Sequence, residues 1–204
     1  MMSETYYRGS SRLFDSFDLS HATEGDGKVK FGFGVYVTSK YASAAHYSAY
    51  SAGKKLADVH YVYTVEVPDR REDNFIAFKQ SVVPSILQRA EEELDKRLPD
   101  LSDAKRSKMH DGLKKSASDG KDFRKFLAKT LTGKVDLEGE KAASDFLLSI
   151  GVDFIEWPVN WTKPENGTNR AILSDKAVRI IKVEQVDLDD KKHLVEGSIR
   201  PIKE

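Results

Sequence analysis

The chain has 204 residues and a mass of 23.0 kDa, and its 33 Lys+Arg against 33 Asp+Glu leave a formal net charge of zero. That balance excludes a uniformly basic nucleic-acid coat and an acidic tail protein. The absence of cysteine excludes disulfides, thiolate metal sites and a cysteine nucleophile.

Taken in chain order, Phe33-Gly34-Val35-Tyr36-Val37 reads as a strand after two glycines, Gly32 and Gly34. The Ala- and Ser-rich stretch 40–52 reads as a short helix. Tyr61 to Val67 is the clearest strand, with Tyr61, Tyr63, Val65 and Val67 on one face, and Pro68-Asp69 ends it. Val83, Leu87, Ala90, Leu94 and Leu98 form one helical stripe that Pro99 stops. Phe123, Leu127 and Leu131 repeat that spacing, as do Ala143, Phe146, Leu147 and Ile150, with Gly151 where a helix end favours a left-handed residue. Asp153–Trp157, Arg170–Leu173 and Val178–Val183 read as closing strands. Strands at both ends with helices between predict one α+β domain over residues 1–204, carrying a helical insertion at about 82–150.

No apolar run approaches the ~20 residues of a membrane helix, so no membrane partner is expected. Met1-Met2-Ser3-Glu4-Thr5 lacks the basic-then-apolar pattern of a signal peptide, so the expected location is cytoplasmic. The five histidines form no metal-binding pair, and no metal is expected. Gly32 and Gly34 precede a strand rather than open a helix, unlike a dinucleotide fingerprint.

Three separated segments stand out. The first is Tyr6-Tyr7-Arg8-Gly9-Ser10-Ser11 with Phe14-Asp15-Ser16-Phe17-Asp18. The second is Gly32-Phe33-Gly34-Val35-Tyr36-Val37-Thr38-Ser39, running to Tyr47. The third is Ala143-Ser144-Asp145-Phe146-Leu147 through Gly151-Val152-Asp153-Phe154-Ile155, followed by Asn169-Arg170-Ala171-Ile172-Leu173. In this order they resemble the ADP-ribosyltransferase superfamily, in particular the branch found in polyvalent proteins of phages and mobile elements. Tyr36 and Tyr47 are eleven residues apart, as the two tyrosines of that branch are.

The resemblance implies an ADP-ribosyltransferase-like split, bent β-core. It implies cleavage of the nicotinamide–ribose bond of NAD, as substrate, and transfer of ADP-ribose to a macromolecular acceptor, protein or nucleic acid, in a phage–bacterium or toxin setting within a bacterial cytosol. Arg8 and Gly9 match the first-strand pair that holds a ribose hydroxyl and the nicotinamide carboxamide, with Ser10 beside them. Arg stands where this branch commonly has His, and it offers five donors and a fixed charge. Tyr36 and Tyr47 match the tyrosines that flank nicotinamide. The family's closing strand starts with a Glu, but here Arg170, with Asn169 beside it, occupies that place. Glu165, in the preceding loop, is the nearest upstream carboxylate, and it reads equally as a catalytic group or as an ordinary loop residue. Thr38-Ser39 reads as a strand end and helix N-cap. Three readings stay open: a transferase using Arg8, Tyr36 and Glu165, a non-catalytic binding module on the same fold, or a structural or packaged phage protein whose insertion does the work.

Lys105 to Lys134 holds ten basic residues against three acidic, a local net of +7. It reads either as a solvated face or as a docking surface for nucleic acid or an acidic partner.

Overall fold

The computed structural model describes residues 3–21, 29–50 and 57–203; the last two residues of the expected 40–52 helix lie outside them. These residues form two compact units, one built from 1–28, 34–69 and 158–204, the other from 29–33 and 70–157. Helices and strands mix in an α+β architecture. Among the described residues no helix is long and apolar enough to cross a membrane.

The first unit is an antiparallel sheet built on β1 (Ser3–Ser10), β2 (Val35–Thr38), β3 (His60–Pro68), β6 (Thr168–Ile172), β7 (Arg179–Val186) and β8 (Arg200–Lys203). Their order across the sheet is β6-β2-β1-β3-β7-β8. β1 follows β3 over eight registered pairs, from Ser3↔Pro68 to Ser10↔Tyr61. Its register with β2 is the single pair Tyr7↔Thr38, so the sheet opens between these two strands. β2 instead runs along β6 for four pairs, from Val35↔Ile172 to Thr38↔Asn169.

The pleat of β1 decides what each face of this sheet carries. Tyr7 and Gly9 face α1 (Tyr41–Ser48), where Tyr7 meets the Tyr41 ring edge-on at 5.3 Å. A Cβ on Gly9 would lie 1.8 Å from the Ala44 carbonyl oxygen and 2.7 Å from the Ser48 nitrogen. Gly9 is therefore required because the helix backbone lies directly on the strand. Ala44, Ala45, Val62 and Val186 form the core under that helix. Glu4, Tyr6 and Arg8 alternate to the other face, with Tyr63, Val65 and Val67 of β3 buried behind them.

The second unit pairs β4 (Phe75–Ala77) with β5 (Phe154–Pro158) in parallel and adds α2 (Pro84–Arg97), α3 (Asp103–Ser116), α4 (Gly120–Thr132) and α5 (Leu137–Ser149). These four helices fall inside the expected 82–150 stretch. The α2 stripe differs from the expected one: Ile86, Ala90 and Leu94 are buried, while Val83 serves as N-cap and Leu87 is only half-buried. α3 has no counterpart in the sequence reading, since only Met109 and Leu113 of its fourteen residues are buried and periodicity has little to act on. Asp119 and Asp136 cap α4 and α5 through their carboxylates, and Gly151, at φ 82°, follows α5 in the left-handed region.

The segment 29–33 is fastened inside this unit. Phe31 stacks on Trp157 at 4.1 Å, and the Ser144 hydroxyl donates to the Phe33 carbonyl at 2.8 Å. The buried Arg124 donates to Glu140 at 2.6 Å and to the carbonyls of Val29 and Lys30 at 3.4 and 3.2 Å. Burial pushes the Glu140 carboxyl up, and the Arg124 charge opposes that rise.

Gly9→Ala is expected to destabilise the chain by about 1–3 kcal/mol or more, because the added methyl meets rigid helix backbone rather than a movable side chain. Urea unfolding of the variant checks this; an unchanged midpoint would show that α1 is not held at this distance.

Candidate functional site

Arg8 is the centre of the site. As a residue it is half-buried, yet its Nε is sealed from solvent and has no hydrogen-bond partner among the described residues. Nη1 donates across the opening between β1 and β2 to the Tyr36 carbonyl at 2.8 Å, and the guanidinium lies 6.0 Å from the centre of the Phe17 ring. No carboxylate faces it among the described residues. Burial lowers its pKa, while the nearby Tyr36 and Tyr63 oppose that shift. A guanidinium has five N–H donors, and Arg8 spends one of them on the described chain.

A loop over residues 11–19 closes around this charge. Phe14 stacks on Tyr63 at 4.3 Å and meets Phe17 edge-on at 5.1 Å. The Tyr63 hydroxyl accepts from the Phe14 N–H at 2.8 Å and donates to the Arg12 carbonyl at 3.1 Å. Leu19 N–H donates to Asp175 at 3.1 Å, anchoring the far end of the loop. Burial pushes the Tyr63 hydroxyl from the ordinary 10.0 up to about 12, and the backbone bond from Phe14 and the Arg8 charge only partly oppose it.

The other expected site residues are spread over the first unit. Ser10 is occupied locally, its Oγ donating to the Arg12 carbonyl and accepting from the Arg12 N–H at 2.9 and 3.0 Å. The Tyr36 carbonyl accepts from Arg8, and the Tyr36 phenol is near enough to act on the Arg8 charge. Asn169 is buried opposite Thr38. Tyr47 stands on α1, 58% exposed, beside His46 and the 192–194 hairpin. Glu165 sits exposed in the short helical turn Pro164–Asn166 with no hydrogen bond or ion pair to the described residues.

Arg170, which stands at the start of the closing strand, is buried but neutralised. It donates to both oxygens of Glu4 at 3.3 and 3.1 Å and to the Pro68 carbonyl at 3.1 Å, and it lies 4.5 Å over the Tyr6 ring. Thr38-Ser39 does not cap α1: Lys40 is the N-cap without a side-chain bond, and Ser39 Oγ accepts from Thr168 N–H at 2.9 Å to clip β2 to β6. Sequence reasoning missed Tyr63 and the Glu4–Arg170 pair as site-building groups. Strand alternation pointed Tyr63 inward, but nothing in the sequence matched Glu4 to Arg170 across 166 residues.

The basic stretch from Lys105 to Lys134 lies on α3, α4 and the residues that follow. Arg106 pairs with Asp95 at 2.6 Å and Lys114 with Glu91 at 3.1 Å, while Arg124 is buried on Glu140. These pairs take up three of its ten positive charges.

No protein-family model, curated protein or solved structure matches the chain.

Because the Tyr63 hydroxyl ionises later in the folded chain than in the unfolded one, its contribution to stability is complete below pH 10.0 and is lost as pH rises toward about 12. Tyr41, pushed up by burial and by Glu184, acts with the same sign. The expected loss is up to roughly 1.4 kcal/mol per pH unit for Tyr63 across that window, and smaller for the partly exposed Tyr41, which solvent screens. Chemical unfolding at stepped alkaline pH checks it, and Tyr63→Phe is expected to make the dependence shallower.

Proposed function

We propose that the chain binds NAD at Arg8 and acts as an ADP-ribosyltransferase on an ADP-ribosyltransferase-like fold, passing ADP-ribose to a protein or nucleic-acid acceptor. The observation that carries this reading is the Arg8 guanidinium: half-buried with its Nε sealed, facing no carboxylate among the described residues, and with most of its donors unspent on them. Burying a charge without a counter-charge is costly. An anionic, hydroxyl-rich ligand supplies what the chain does not, and the pyrophosphate and ribose oxygens of NAD fit that description. The opening between β1 and β2 at this position, and the aromatic loop of Phe14 and Phe17 beside it, support the same reading.

In the reaction the bond between ribose C1′ and the nicotinamide nitrogen breaks, and nicotinamide leaves with the electron pair. A nucleophile of the acceptor bonds to C1′ and releases its proton. Positive charge develops on the ribose, so a cation belongs at the phosphates and outer hydroxyls, not at C1′. Arg170 does not add to the field at C1′, being matched by Glu4. Glu165 is the carboxylate left for that role, reached by its loop.

One observation favours the second reading, a binding module without transfer. The first residues of the closing strand are Asn169 and the ion-paired Arg170, and Glu165 is exposed in a separate turn. The experiment that separates the readings combines thermal melting with labelled NAD in cell lysate. NAD at millimolar concentration is expected to raise Tm, since it binds only the folded chain. Arg8→Met is expected to remove that shift while leaving the unliganded Tm equal or higher, because it replaces an uncompensated buried charge with an apolar stem. Glu165→Gln is expected to keep the NAD shift and slow nicotinamide release by ~10²–10³-fold. No shift with NAD refutes NAD binding; a shift without nicotinamide release under any lysate leaves the binding module.

A further inference from the structure

A second feature of the first unit is a groove of about 250 Å³ between α1 and the hairpin that follows β7. Ala42, Ser43, His46 and Tyr47 line one wall, and Lys192, His193 and Leu194 the other. The volume lies below the ~300–1,000 Å³ of sites that take drug-sized molecules, so its occupant is small.

The hairpin is held against the helix by two bonds. Lys192 carries the only positive φ among the described non-glycine residues, 64°, at the turn where its N–H donates to the Asp189 carbonyl at 2.8 Å. A lysine in the left-handed region costs about 1 kcal/mol relative to glycine. Its side chain offers a reason for its presence: Nζ donates to the Tyr50 hydroxyl at 2.8 Å and lies 4.4 Å over that ring. Its carbonyl lies 3.2 Å from His46 Nδ1.

That last contact fixes the chemistry of His46. A carbonyl only accepts, so Nδ1 carries the proton, and in the neutral ring Nε2 presents a lone pair. Nε2 has no partner among the described residues. The imidazole stands edge-on to Tyr47, ring centres 5.9 Å apart at 71°, and Tyr47 is 58% exposed. The groove therefore offers a flat aromatic face and, close to it, an acceptor held in place from behind.

The rim carries the Lys192 ammonium, and Asp189 is partly committed to His193 and to the backbone N–H groups of Lys191 and His193. The Lys192 cation disfavours an ammonium ligand, and the acceptor on His46 disfavours a ligand with carbonyls only. A planar, neutral ring with an amino edge satisfies both, and an attached phosphate suits the rim.

The geometry points to this groove as a binding site for the base of a purine mononucleotide, stacked on Tyr47 with an N–H donated to His46 Nε2. It is independent of the NAD reading, because Arg8 leaves the opposite face of β1, and it takes Tyr47 out of a nicotinamide-flanking role.

The test is titration of the full chain with AMP, followed by amide chemical shifts. Saturable shifts at Tyr47, His46 and Leu194 are expected. Tyr47→Ala, at an exposed position, is expected to weaken AMP by about five- to a hundred-fold, the range of one base–aromatic stack. His46→Asn keeps a donor toward the Lys192 carbonyl but lacks the Nε2 acceptor, and it is expected to weaken AMP likewise. Arg8→Met is expected to leave the AMP-induced shifts at Tyr47, His46 and Leu194 unchanged even where it removes the response to NAD. Ribose 5-phosphate giving the same shifts as AMP would overturn base recognition. AMP-induced shifts at His46 and Leu194 that survive Tyr47→Ala, or that Arg8→Met abolishes, would overturn the site. Tighter binding of a short oligoadenylate than of AMP would overturn the mononucleotide assignment in favour of a single strand.

Discussion

Burying a guanidinium without leaving its charge unanswered is the constraint around which this chain is organised. Water solvates the ion far better than the interior does, so each buried arginine must find a counter-charge or enough carbonyl oxygens. Arg170 is answered by Glu4 and the Pro68 carbonyl, which ties the first strand to β6 and to the end of β3. Arg124 is answered by Glu140 and two carbonyls, which ties residues 29–33 to α4 and α5. Arg8 is answered by one carbonyl among the described residues. The same chemistry that makes two of these groups into fasteners leaves the third with donors unspent on the described chain.

The consequences spread through the pleat of β1. Arg8 and Gly9 are neighbours in sequence, yet they serve opposite faces of the sheet. Gly9 lets α1 lie against the strand, and this seating carries Tyr47 and His46 to the 192–194 hairpin. Arg8 projects beneath the Phe14–Phe17 loop, which Tyr63 holds closed through its hydroxyl. A motif that reads as one constellation along the sequence is thus distributed over two environments, one desolvated and cationic, the other exposed and aromatic.

Charge also explains why the helical unit tolerates so polar a sequence. α3 buries little apolar surface, but Arg106 and His110 meet Asp95, and Lys114 meets Glu91, so its attachment to α2 relies on paired charges in place of a broad stripe. Exposed pairs of this kind contribute up to ~1 kcal/mol each, which leaves Met109 and Leu113 as the apolar anchors. The local excess of positive charge counted along the sequence is correspondingly smaller on the folded surface.

The sequence by itself determined the α+β class, the helices with apolar periodicity such as α4 and α5, the end of α5 before Gly151, and the strand of β3, because short-range spacing and backbone sterics carry that information. It also singled out Arg8, Gly9 and Tyr47 as residues to watch. Their grouping was beyond it. Whether Arg8 is a surface cation or a buried one depends on Phe17 and Tyr63 closing over it. Whether Arg170 carries an unanswered charge depends on Glu4, 166 residues away. Whether Tyr47 joins Arg8 or the 192–194 hairpin depends on which face of β1 the helix covers. Each of these is a contact between segments distant in the chain, and local pattern carries no record of which distant segments meet.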